Sequence, residues 1–173
     1  MNASLRRARP AGRGFTLIEL VVTLAIVGLI AMVALPLYEL SSTRVKEAEL
    51  RQALRTIRGA LDAYKAATDS GLLVKSAGDS GYPPSLDLLT EVLEVANKRD
   101  FGLNAGEAAR HVIFLRQLPR DPFFPDATTP AAQTWATRAY GSSADNPQPG
   151  ADVFDVSSLS TRIALDGTPY SSW

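Results

Sequence analysis

The sequence predicts an α+β protein, a long N-terminal α-helix packed on a small antiparallel β-sheet. Three observations predict it. No charged residue occurs from Leu20 to Tyr38. Leu50, Leu54, Ile57, Leu61 and Tyr64 then recur at alternating four- and three-residue steps, which draws one apolar stripe along a helix. Finally, two short segments of strand-like alternation, 134–140 and 152–158, flank a loop carrying Asp145-Asn146-Pro147 and Pro149-Gly150.

Composition narrows the function before any motif is read. The 173 residues suffice for one small domain plus a membrane segment. Formal net charge is zero, but Arg6, Arg7, Arg9 and Arg13 fall in residues 1–14, where there is no acid. The remaining chain holds 14 basic against 18 acidic side chains, a net of −4. A mildly acidic body argues against a nucleic-acid partner, which needs a basic face. There is no cysteine, so disulfides and thiolate metal sites are excluded. With His111 the one histidine, a His-based zinc site or a catalytic triad lacks members. No nucleophile elbow, P-loop or dinucleotide fingerprint occurs, and the chain reads as a structural protein, not an enzyme.

Residues 15–38 would span about 36 Å as a helix, enough to cross a hydrocarbon core of about 30 Å. The arginines before it orient the segment, because positive flanks stay cytoplasmic. A secretory signal peptide would need a small-x-small cleavage site after the apolar run, and Ala34-Leu35-Pro36 supplies it poorly. A plain signal anchor is the other reading. Both leave Glu19 unexplained, since a carboxylate inside a bilayer costs about 2.5–3.5 kcal/mol on insertion scales and calls for a partner. Gly28 and Pro36 lie within the segment. Pro36 removes a backbone donor and is expected to bend or locally melt the helix; Gly28 fits either close helix packing or flexibility.

Beyond Tyr38 no proline interrupts the chain to residue 68, so one helix is expected from Phe15 to about Thr68. Arg44, Lys46, Glu47, Glu49, Arg51, Arg55, Arg58 and Asp62 are expected on its solvated faces. A coiled coil is the alternative reading of the stripe, over few heptads. Asp69-Ser70-Gly71 and the run Ser76–Gly81 end the helix. Ser85, as N-cap, and the leucines after it predict a short amphipathic helix over 85–97. A polar loop is expected over 98–110, and Val112–Leu115 is a strand candidate. Asp121, between Pro119 and Pro122, is expected to bond nearby amides as the chain turns onto the sheet. The strands 134–140 and 152–158 are expected to form a hairpin whose apolar face lies on the Leu54–Tyr64 stripe.

The residues Gly14-Phe15-Thr16-Leu17-Ile18-Glu19-Leu20, behind a basic leader, resemble the prepilin peptidase site of type IV pilins and type II secretion pseudopilins. Tyr82-Pro83, Leu118-Pro119-Arg120-Asp121-Pro122-Phe123, Asp166-Gly167 and Trp173 narrow the resemblance to the major (G-type) pseudopilin. That resemblance implies a type IV pilin-like fold. It implies a leader, 1–14, cleaved after Gly14; a transmembrane and filament-core helix, 15–38; its periplasmic continuation, 39–68; and a globular domain, 69–173. It also implies that the new amine of Phe15 is N-methylated and neutralised by Glu19 of a neighbouring subunit. Self-association would build a helical fibre that drives protein export across the outer membrane. The implied partners are the prepilin peptidase, minor pseudopilins, an inner-membrane assembly platform and the membrane itself. The implied location is the inner membrane, single-pass, with the N-terminus cytoplasmic and the C-terminal domain periplasmic. A subunit of a type IV or competence pilus is the alternative, although many surface pilins close a C-terminal loop with a disulfide that this chain cannot form. The tail of a major pseudopilin binds calcium, and the acids at hand are Asp155 and Asp166, with Arg162 where a further acid would help. A metal-free tail held by Trp173 and Tyr170 is the other possibility, and no other cofactor is implied.

Overall fold

The computed structural model describes residues 14–96 and 111–173. The arginine leader and the loop expected over 98–110 lie outside the described residues. The chain divides into two compact units, Met1–Ser42 and Thr43–Trp173, and helix α1 (Leu17–Asp69) runs from one into the other.

Helix α1 begins where local chemistry favours it. The Thr16 hydroxyl accepts the Glu19 amide at 3.3 Å, and the Thr16 carbonyl accepts the Leu20 amide. Thr16 is thus the N-cap, with an acid three residues on, as in a capping box. The helix is continuous through Pro36, so the expected local melting is not seen in this state. It ends in a Schellman arrangement. The Leu72 amide reaches the Ala67 carbonyl at 2.9 Å, and the Gly71 amide reaches the Thr68 carbonyl at 3.1 Å. Gly71 supplies the left-handed residue that this turn requires, at φ 75°.

Within the first unit, the large apolar side chains from Leu17 to Leu40 are 45–82% exposed. Within the second, Leu50, Leu54, Ile57 and Leu61 are buried and join Leu86, Leu89, Leu115, Leu118, Trp135, Val153, Val156 and Tyr170 in one core. Tyr64 packs at its margin. The expected stripe is therefore the helix's contribution to a globular core.

The sheet elements are short. Strands β1 (Leu93–Glu94) and β2 (His111–Val112) form one antiparallel pair. Strands β3 (Trp135–Arg138) and β4 (Asp155–Ser158) form the other, with Trp135 opposite Ser158 and Arg138 opposite Asp155. This is the expected hairpin, and Trp135 and Val156 carry its apolar side into the core. In its loop Gly150 passes so close to Ala139 that a Cβ would sit 2.7 Å from the Ala139 side chain.

The helix expected over 85–97 does not form. A single 3₁₀ turn, Asp87–Thr90, starts at Leu86 with no side-chain cap, and β1 follows. Tertiary partners take the backbone groups that a helix would have used. The Leu89 carbonyl accepts the Leu115 amide, and the Ala96 amide reaches the Leu72 carbonyl, both at 2.8 Å. The three-residue step from Leu86 to Leu89 suits a 3₁₀ turn, and it buries both side chains. Asp121 behaves as expected: buried, its carboxylate accepts the Phe123 amide at 2.7 Å and the Ser158 hydroxyl at 2.5 Å. It thereby ties the Pro119–Pro122 turn to β4.

Candidate functional site: the N-terminal segment and the tail

Two regions carry the residues singled out from the sequence. The first is the start of α1. Gly14 is exposed, has no positive φ, and an added Cβ there would meet nothing within 4 Å. Among the described residues, no contact requires glycine at this position. Phe15 is 81% exposed. Glu19 sits on the first turn of α1, exposed, and makes no ion pair among the described residues. Gly28 also meets nothing that would clash with a Cβ, although glycine inside a helix costs about 0.5–1 kcal/mol relative to alanine. The segment thus presents an apolar cylinder with one carboxylate near its N-terminal end. The helix is long and apolar enough to cross a membrane.

The second region is the tail, packed against residues 47–58 of α1. Glu47 is buried, 5% exposed, and one of its oxygens accepts the Leu165 amide at 2.8 Å and the Tyr170 hydroxyl at 3.0 Å. This corrects the expectation that Glu47 lies on a solvated face. The signal was present in the spacing: stepping back from Tyr64 through Leu61, Ile57, Leu54 and Leu50, the next stripe position is Glu47. Burial first, then the bond to Glu47, pushes the Tyr170 phenol up to about 12.

Arg58 is also not a free surface cation. Its Nε donates to Asp155 at 2.7 Å, and one terminal nitrogen donates to the Val156 carbonyl at 2.9 Å and the Trp173 main-chain oxygen at 2.7 Å. Asp155 also faces Arg138 at 3.4 Å. Asp166 accepts the Thr168 hydroxyl at 2.6 Å and the Thr168 amide at 3.0 Å, with Arg51 at 3.5 Å. These bonds, the Thr168 hydroxyl first, hold its carboxyl below the usual range. The Arg51 guanidinium lies 4.2 Å from the centre of the Trp173 ring, and Tyr170 meets that ring edge-on at 5.0 Å. Tyr170 and Trp173 thus pack against each other. Each of the two candidate calcium acids is engaged by arginine.

Against known proteins, a family model described as the prokaryotic N-terminal methylation motif matches residues 9–35. The matched stretch contains Gly14, Phe15 and Glu19 and extends through the exposed apolar part of α1. No curated protein and no solved structure matches the chain. The N-terminal segment thus carries a prepilin-type signal, on a chain whose long apolar helix and small antiparallel sheets are consistent with a type IV pilin-like fold.

Proposed function

We propose that this protein is a structural subunit of a type II secretion pseudopilus. A prepilin peptidase removes the leader after Gly14, the new amine of Phe15 is methylated, and the subunit polymerises through its N-terminal helix to drive protein export across the outer membrane. Before assembly the helix anchors the subunit in the inner membrane, with the body on the periplasmic side. Minor pseudopilins and an inner-membrane platform are the partners of this reading, and the protein is not an enzyme.

The observation that carries the reading is a coincidence of position. The methylation motif extends over the part of α1 whose apolar side chains are exposed, and it contains a glycine that makes no close contact among the described residues. Lipid, then neighbouring copies of the same helix, would cover that surface. Glu19 has its role in the second state. Opposed by the Phe15 amine of a neighbour, its charge is neutralised within an apolar core, and a subunit arriving out of register would bury it alone. The pairing sets register more than it adds stability.

The test is processing. Gly14→Ala should leave the full-length precursor on a gel when the protein is co-expressed with a prepilin peptidase, while the wild type is shortened by the leader. Normal shortening of the variant would sink the peptidase reading.

A further inference from the structure

We infer that guanidinium groups hold the tail of this protein on its helix, in the place where the resemblance would put a calcium ion. The inference rests on residues Glu47–Trp173 alone, so it stands or falls separately from the assembly reading.

Calcium binds through about six to eight oxygens, several of them from carboxylates. The oxygens offered here are committed to donors. One Asp155 oxygen accepts Arg58 and the Val156 amide, at 2.7 and 2.8 Å, while the other faces Arg138. One Asp166 oxygen accepts both donors of Thr168, and the other faces Arg51. Glu47, the acid of α1 that bonds the tail, has turned one oxygen to Leu165 and Tyr170. Among the described residues no three acids or histidines cluster as a metal site would need. The open cleft beside the tail, about 570 Å³, is lined by Arg51, Arg55 and Arg58, with Asp166 its one acid. A divalent cation entering it would meet positive charge and would have to displace ion pairs to find ligands. The residues do not fit calcium.

They do fit a cation supplied by the chain. Arg58 gathers three oxygens, from Asp155, Val156 and Trp173, which lie 97, 98 and 115 residues away in sequence. A metal ion would draw together the same two segments, β4 and the tail. The planar fork of arginine donates in several fixed directions at once, which a lysine ammonium on a flexible stem does not reproduce. Arg51 adds a second contact of the same kind, placed between the Asp166 carboxylate and the face of Trp173.

The experiment is thermal unfolding of the full-length chain in detergent micelles, followed by tryptophan fluorescence, in millimolar calcium chloride and in chelator. Wild type, Arg58→Met, Arg58→Lys and Asp166→Asn are compared. The expected result is a wild-type midpoint that moves by less than about 2 °C between calcium and chelator. Both Arg58 variants should melt lower in both media, Arg58→Met by about 4–8 °C, and lysine should recover less than half of the loss. A wild-type midpoint raised by more than about 5 °C in calcium, with the rise abolished in Asp166→Asn, would overturn the inference without recourse to either Arg58 variant. So would an Arg58→Met protein as stable as the wild type.

Discussion

Over residues 17–40 of α1, leucine, valine and isoleucine face outward on every side; over residues 47–64 the same kinds of residue face one way and are buried. The backbone is one uninterrupted helix in both stretches. The difference lies in where the remaining positions are polar. In the second stretch charged residues alternate with the stripe, so the chain's own hairpin and turns suffice to cover the apolar side. In the first stretch no polar face exists, and an exposed apolar surface of this extent on a soluble monomer marks a site for lipid or another protein. Sequence pattern, not helix propensity, separates the half of the helix that packs in the core from the half whose apolar side chains stay exposed.

Truncating one leucine in each half should give very different losses of stability. Leu61 is fully buried, and Leu61→Ala should destabilise the body by about 2–5 kcal/mol in chemical denaturation of the detergent-solubilised chain. Leu24 is 65% exposed, and Leu24→Ala should leave that transition within about 0.5 kcal/mol of wild type. Equal effects would mean that the two halves are not energetically distinct.

A smaller effect is expected at Glu47, the charged residue that belongs to the buried side. Glu47→Ala leaves the Tyr170 hydroxyl and the Leu165 amide without their acceptor, for a loss of about 1–3 kcal/mol. Glu47→Gln keeps an acceptor oxygen and should lose less. The same denaturation curves measure both variants, and a neutral Glu47→Ala would return this residue to the solvated face.

The smallest effect is a titration. The Tyr170 phenol is raised to about 12, so its contribution to stability is present in full below its unfolded pKa of about 10 and is lost as pH rises through about 12. Near-ultraviolet absorbance should show a late phenolate step that Tyr170→Phe removes. Complete tyrosine ionisation near pH 10 in the folded protein would contradict the burial of Tyr170 and its bond to Glu47.

Much of this was legible in the sequence, and particular residues show where legibility stopped. The 53-residue helix could be read because only Pro36, Gly28 and Gly59 between Phe15 and Thr68 disfavour it, and its end could be read from Ser70-Gly71. The β3–β4 hairpin followed from alternation around a turn-rich loop. The helix expected over 85–97 failed because local spacing cannot register that Leu115 will claim the Leu89 carbonyl. Gly14 stood out by its place between a basic leader and the apolar run, and Glu19 as an acid inside that run. Arg58 did not stand out, since its oxygen partners are about a hundred residues away and a lone arginine on a helix looks solvated. Glu47 lay between these cases, on the stripe by spacing but charged by type. Thr16 carried a capping signal in Thr16-Leu17-Ile18-Glu19 that the prominence of the acid obscured.

In the proposed assembly, other copies of the helix cover the exposed half of α1, and Glu19 sets the register. The most direct measurement is electron microscopy of fibres from cells making the Glu19→Ala protein, with leader removal followed on a gel. A shortened, membrane-bound subunit that yields few or no fibres is expected. Fibres of normal length and number from a processed Glu19→Ala subunit would contradict it.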